Sequence, residues 1–499
     1  MSKASNESSS ASDLEHMVTG FQPDREMQND DQSLEQYERS SDNADLERTP
    51  SMFQRIQTRL SFFNERLKKQ RFGLVMEFGF IYLIMGFFVL GIFSIYWGSM
   101  YKRETRLPNL KFLVVIDNDT PVNNIPTFGE QLQLILNSTK AKSIGGWEIQ
   151  NITHFKQEAD KRNNTVEQEI NRQIHHQLYW LSIYVKENAT YDFYQALANN
   201  DASYNVSDTF RLIYETGRDF LTMTQYVTPQ VKIIENMWLD AQSNAVRPLA
   251  ENLNDTERSA LFNSNGNINL LTTPLSFEYI DRVPYSDPVL VAPSQVGLIY
   301  MIILTFFNVN FFADVHKRVA TFNLKKPHYL LYRLIASIIS YFWLSLMYSL
   351  VTLAFQVNFN ATFGKSGFLI YWMVSWLTMW CVGGVNETVA QILILIYPPL
   401  LGFWLLFWVI VNISPTFTML ALSPKIFRYG YGLPLHNSYE VTKVIFFDIY
   451  KGNLGRNLGI LSAWGVLNVF TLMASTILFG VVMGKRAQKA AQAASKEAK

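Results

Sequence analysis

The stretch LGFWLLFWVIV at residues 401–411 has no charged side chain and no polar face. A helix buried in a soluble protein keeps polar residues on one side, so a helix that is apolar all round belongs in lipid. Apolar segments recur at 296–313, 329–355, 368–385, 389–413 and 458–482 with little soluble sequence between them. A hydrocarbon core of about 30 Å takes roughly 20 helical residues, because a helix satisfies its own backbone there. With a further run at 78–97, the expected fold is an α-helical polytopic membrane protein. It has one N-terminal span, an extracytoplasmic α/β domain with a long helix, then a five-span helical bundle with re-entrant helices before the last span.

Charge near span ends sets orientation. Lys317, Arg318, Lys325, Lys326 and Arg333, and then Lys485, Arg486 and Lys489, mark the cytosolic side, while the segment 356–367 with its single Lys365 suits the outer side. Both termini are expected in the cytosol. The loop 414–457 disagrees, since it carries Lys425, Arg428, Lys443, Lys451 and Arg456 yet falls outside by parity.

Residues 1–71 are expected in the cytosol, and the first 50 of them are acidic and poor in large apolar side chains, which leads to disorder. Ser8 to Ser10 and Thr49 are candidate phosphate acceptors or plain exposed hydroxyls. A basic juxtamembrane segment follows, with Phe53, Ile56, Leu60, Phe63 and Leu67 on one helical face, fit either to lie on an anionic leaflet or to flank the first span. That span occupies 72–100, and because its apolar run starts only near Phe78, no cleavable secretory signal is expected. Residues 101–293 form the outer domain, 294–484 the membrane domain and 485–499 a basic cytosolic tail.

In the outer domain, Asn118, Asn137, Asn151, Asn163, Asn188, Asn205 and Asn254 each begin an Asn-x-Ser/Thr acceptor, against roughly three expected by chance. The excess makes the domain luminal or extracellular and the protein a glycoprotein. Residues 110–116, 179–185 and 210–214 read as strands, and the apolar spacing from Phe220 to Ala245 as a long helix bent at Pro229.

A net charge of +1 gives no general pull toward nucleic acid. The single cysteine, Cys381, excludes an internal disulfide and a cysteine-based zinc site. No phosphate loop, HExxH or nucleophile with its base is present, so neither an enzyme nor a cofactor is expected. Gly364, Lys365 and Ser366 echo the end of a phosphate loop, but Phe359 stands where its first glycine belongs. His175 and His176 read as surface residues.

Polar groups within spans are costly and face a cavity or a partner. Asn308, Asn310 and Asp314 close one span, Asn386, Glu387 and Gln391 sit at an expected tight turn between two others, and Asn468 lies mid-span. They are the candidate transport path; helix-to-helix hydrogen bonding is the other use of such side chains. Gly383, Gly384, Pro398 and Pro399 flank that turn and point to broken helices. Phe417, Met419, Leu420 and Leu422, then Val441, Val444, Ile445 and Phe446, suggest short helices dipping into the outer leaflet.

Between them lies FRYGYGLPLHN at 427–437, whose Phe427, Arg428, Tyr429, Gly430, Tyr431, Pro434 and Asn437 suit a turn in the headgroup layer. This stretch, VGLIYMIILTFF at 296–307, and YFWLSLMYSLVTLAFQ with FGKSGFLIYWM at 341–373 resemble the fungal nitrosoguanidine-resistance proteins. Those form a group with a domain of unknown function, similar to the type-2 permeases of ABC transporters. The likeness covers 72–484, with Gly432 where alanine is expected. It implies a plasma-membrane protein contributing to drug resistance and to phospholipid asymmetry through export or leaflet distribution of phospholipids or amphipathic compounds. The implied partners are the lipid bilayer, those compounds, an ATPase or another transporter, and a second copy of the chain. A non-transporting scaffold or regulator of other transporters is the alternative.

Overall fold

The computed structural model describes residues 63, 65–201, 203–263, 268–285, 287–322 and 324–497. The acidic tail, its phosphate acceptors and Phe53, Ile56 and Leu60 lie outside the described residues. The chain divides into units Met1–Tyr82 and Leu83–Lys499. In the first, a 3₁₀ turn at Glu65–Leu67 leads into the start of helix α1 (Lys68–Met100). All that follows belongs to the second.

The domain expected on the outer side, hereafter the outer domain, contains a five-stranded sheet of order β2-β1-β3-β4-β5. The strands are β1 (Lys111–Ile116), β2 (Gly146–Gln150), β3 (Leu181–Val185), β4 (Phe210–Tyr214) and β5 (Glu278–Asp281). β1 runs parallel to both β2 and β3, β4 is antiparallel to β3, and β5 parallel to β4. The pleat splits the apolar run of β1 between two cores. Phe112 and Val114 join Phe128, Phe210 and Trp238 on one face, while Leu113 and Val115 join Ile170 and Ile213 on the other. Among the helices are α2 (Phe128–Asn137), α3 (Val166–His175) and α4 (Thr228–Glu251). The bend expected at Pro229 falls instead in a π-helical turn at Met223–Val227, and Pro229 sits in the first turn of α4, where no amide is missed.

Among the described residues, five helices are long and apolar enough to cross a membrane. After α1 they are the helical run Pro288–Phe311, which ends in α5 (Gly297–Phe311), and those that contain α6 (Lys326–Ala354), α7 (Gly367–Ile396) and α10 (Leu454–Glu497); the shorter apolar helices α8 (Leu400–Thr416) and α9 (Pro434–Phe447) lie before α10. α6 is built inside out. Its buried residues are Arg333, Ser337, Tyr341, Ser345, Ser349 and Thr352, whereas Ile335, Ile339 and Trp343 are exposed. Water would favour the reverse, so the outer face of α6 belongs to hydrocarbon.

The structure corrects the expected turn at 386–391. α7 runs unbroken through Gly383, Gly384, Asn386, Glu387 and Gln391. Its break comes at Tyr397, whose extended backbone (φ −158°, ψ 98°) is what a following proline imposes. The two glycines are close-approach points: a Cβ on Gly383 would lie 2.5 Å from Tyr341 Cζ, and one on Gly384 would lie 2.6 Å from Asn468 Cγ. The expected span 389–413 is therefore replaced by α8, whose 17 residues reach about 25 Å.

The first of the expected dipping helices is also corrected. Residues 417–424 form turns, and Leu422 is fully buried in the outer domain's core with Met419 and Ala421 against it. Asn109 Nδ2 fastens the segment by donating to the Ala421 carbonyl at 2.9 Å. Val441, Val444, Ile445 and Phe446 do lie on a short helix, α9, buried along most of its length. The discordant positive charge of this loop is partly neutralised, because Lys443 pairs with Glu440 at 2.8 Å and Lys451 with Asp448 at 2.8 Å.

Candidate functional site

The polar stripe of α6 meets α7 at Glu387. Arg333 Nη2 lies 3.0 Å from Glu387 Oε2, the Ser337 hydroxyl 2.8 Å from the same oxygen, and the Tyr341 hydroxyl donates to Oε1 at 2.6 Å. All four side chains are buried, and Arg333 Nη1 is without a partner. Spacing of four residues puts Arg333, Ser337 and Tyr341 on successive turns of one face, so a single carboxylate on the neighbouring helix reaches all three. In a medium of low dielectric a guanidinium and a carboxylate stay charged together far more readily than either alone.

One residue earlier, Asn386 faces the other way. Its Nδ2 donates to the Ile302 carbonyl at 3.1 Å and to Thr305 Oγ1 at 3.2 Å, and its Oδ1 accepts from Trp404 Nε1 at 3.1 Å. One amide thus ties α5, α7 and α8. Buried Asn308, on the face of α5 that carries Thr305, stands beside the Tyr341 hydroxyl. Glu387 and Asn308 therefore meet at Tyr341, while Asn386 bonds Thr305, one turn from Asn308.

The other candidates lie elsewhere. Asn468 donates to the Trp380 and Cys381 carbonyls at 2.8 Å each, and Gln391 accepts from Thr476 at 3.3 Å, both in the α7–α10 seam. Asn310 and Asp314 are exposed, with Asp314 paired to Lys317 at 2.9 Å. Sequence reasoning missed Arg333, Ser337 and Tyr341 by reading Arg333 as a flanking charge. The available signal was the four-residue recurrence of polar side chains from Arg333 to Ser349 in an otherwise apolar helix.

Between α5 and α6 lies a groove of about 860 Å³ lined almost wholly by apolar side chains. Its lining residues Phe307 and Leu344 stand beside Asn308 in sequence and one turn from Tyr341.

The stretch 427–437 is a 3₁₀ helix (Lys425–Gly432) leading into α9. Phe427 is buried and Arg428 exposed. Gly430 is required, since a Cβ there would lie 2.2 Å from Pro415 Cβ, whereas one on Gly432 meets nothing within 4 Å. The Tyr429 hydroxyl donates to the Val411 carbonyl at 3.2 Å, and Asn437 Nδ2 to the Tyr431 carbonyl at 2.9 Å. Pro434 occupies the first turn of α9. Of the two adjacent histidines, His175 bonds Glu215 at 3.0 Å and His176 packs at a tilt against Tyr450, with ring centroids 4.7 Å apart. Six of the glycan-acceptor asparagines are exposed and Asn188 is half-buried, its Oδ1 accepting from Thr120 at 2.7 Å.

No solved structure matches the chain. An uncharacterized endoplasmic reticulum membrane protein of Saccharomyces cerevisiae is 33% identical over 423 residues, covering 83% of this chain and 82% of that protein. A family model described as a protein of unknown function, DUF3533, matches residues 81–470. Neither description assigns an activity. The chain is a multi-pass membrane protein and belongs to the DUF3533 family.

Proposed function

We propose that the protein moves amphipathic compounds, phospholipids among them, between leaflets or out of the cell, and contributes to drug resistance in that way. The α5–α6 groove carries the reading. Its exposed lining residues Tyr300, Leu304 and Val351 would sit where acyl chains lie, and its inner end approaches the Asn308–Tyr341–Glu387 cluster. An apolar tail fits the groove, while a polar head meets the charged end. The reading assigns no catalytic step to the chain and leaves energy to a gradient or a partner ATPase. It places both termini in the cytosol and the glycosylated domain on the opposite side. The endoplasmic reticulum location in the yeast relative's name favours an internal membrane, with the plasma membrane as the alternative.

One observation favours a second reading, a scaffold or regulator that does not transport. Both oxygens of Glu387 already accept bonds from protein groups, as a latch between α6 and α7 requires. Liposome flux separates the two. A fluorescent phospholipid and a cationic dye should cross liposomes containing the protein at least tenfold faster than empty ones, and Leu304→Trp, which fills the groove, should abolish the gain. Rates equal to those of empty liposomes for both cargoes, with the protein folded, would refute transport and leave the scaffold.

A further inference from the structure

Apart from the groove, a cavity of about 230 Å³ lies where the outer domain meets the loop after α8. Trp180 and Arg218 wall it from the outer domain, and His436, Lys443 and Arg456 from the opposite side. Its charges are unevenly matched. Arg218 donates to the Tyr179 and Gln177 carbonyls at 2.5 and 3.1 Å and lies 3.8 Å above the Trp180 ring. Arg456 reaches the Asn457 side chain at 3.3 Å and lies over the Tyr431 ring. Among the described residues neither guanidinium forms an ion pair. Of the two carboxylates on the wall, Glu440 pairs with Lys443 at 2.8 Å, and Asp219 accepts from the Thr222 amide at 2.9 Å and keeps its charge, so three cations face two anions. Loss of solvation pulls the Arg218 pKa down to about 10, outweighing the opposite pull of Glu440, Glu215 and Asp219.

The second unmatched group is His436. It is 7% exposed, and its Nδ1 has no hydrogen-bond partner, while the ring engages the Pro415 carbonyl. A neutral imidazole bound in that way presents Nδ1 as an acceptor. The cavity therefore asks for negative oxygens on one side and a hydrogen-bond donor on the other. Planar guanidinium forks match phosphate oxygens in geometry as well as charge.

We propose that this cavity binds a phosphate group carrying a hydrogen-bond donor, its oxygens held by Arg218 and Arg456 and its donor received by His436 Nδ1. The donor is the P–OH of hydrogen phosphate or a monoester, or a hydroxyl or ammonium on the alcohol of a lipid phosphodiester. Sulfate has the same shape and no proton to give at neutral pH. The site does not depend on the transport reading, for it rests on different residues.

Calorimetric titration of the full-length protein in detergent with inorganic phosphate, glycerol 3-phosphate and sulfate tests the site. Native mass spectrometry after reconstitution in phospholipid nanodiscs tests the lipid source. Binding of a soluble phosphate at least tenfold tighter than sulfate identifies a free anion. Retained phospholipid with no soluble binding identifies a headgroup. In either case Arg456→Gln, at an exposed position, should weaken binding at least tenfold without changing the Tm of the empty protein. Arg218→Lys, which keeps the charge and loses the fork, should weaken it too. The absence of both soluble and retained ligand, binding indifferent to both substitutions, or sulfate binding as well as phosphate would overturn the proposal.

Discussion

Replacing Glu387 by glutamine keeps the side chain's shape and removes the charge that faces Arg333 at 3.0 Å. Removing one partner of a buried pair costs about 3–5 kcal/mol, because the remaining charge stays in low dielectric. Arg333 has little recourse: its side chain is buried and its Nη1 already lacks a partner. At about 2–4 °C per kcal/mol for a unit the size of the membrane domain, the Tm should fall by roughly 6–20 °C. The double variant Arg333→Met with Glu387→Leu removes both charges and should recover more than half of the loss. Full recovery is not expected, since the Tyr341 hydroxyl loses its acceptor at about 1 kcal/mol, while Ser337 keeps the Arg333 carbonyl at 3.0 Å. Cys381 supplies the assay. It is the chain's single cysteine, fully buried, with Sγ 3.0 Å from the Leu461 carbonyl. A maleimide dye that fluoresces on meeting a thiol stays dark until the α7–α10 seam opens. A single variant that melts with wild type, or a double variant no better than the single, would refute the ion pair as the fastening of α6 to α7.

The close approach at Gly383 predicts that Gly383→Ala lowers the Tm by several degrees in the same assay, while Gly432→Ala leaves it unchanged; equal effects would count against the packing assigned to α6 and α7. Glycosidase treatment should reduce the mass by several glycans, and Asn188→Gln should change the ladder least, because that acceptor is half-buried. No mass shift in a eukaryotic host would contradict the outward placement of the domain. In the outer domain, the bond to Glu215 raises the His175 pKa above its ordinary value of about 6.5. A raised pKa gives stability that is whole below the unfolded value and is lost as pH rises through the folded one. The Tm gap between wild type and Glu215→Gln should therefore be wider at about pH 6 than at pH 8.5. His176, shifted the opposite way by loss of solvation, is common to both proteins; a gap independent of pH would remove the ion pair.

Long apolar runs were legible in the sequence because burial on all sides leaves no other reading. β1, β3 and β4 stood out for that reason, whereas β2 (GWEIQ) and β5 (EYID) are short, half-buried edge strands whose polar residues mask them. Gly383 and Gly384 misled, since a glycine that admits a neighbouring side chain looks in sequence like one that breaks a helix. Met419 and Leu422 misled as well: their apolar character signals burial, and nothing local says whether lipid or the outer domain's core provides it. At the site, Glu387 and Asn386 were found because polar groups stand out in apolar sequence. The partners of Glu387 were hidden because Arg333 lies near a span end, where a basic residue is expected to face water.

Whether α6 turns its polar stripe away from lipid is tested most directly by a phospholipid carrying a photoreactive acyl chain, activated in proteoliposomes and mapped by mass spectrometry. Labelling should fall on Ile335, Ile339 and Trp343, exposed by 45, 60 and 59%, and should spare Ser337, Ser345 and Ser349, exposed by 3, 0 and 0%. Labels on the serines, or spread evenly round the helix, would contradict the inside-out helix and with it the Arg333–Glu387 site.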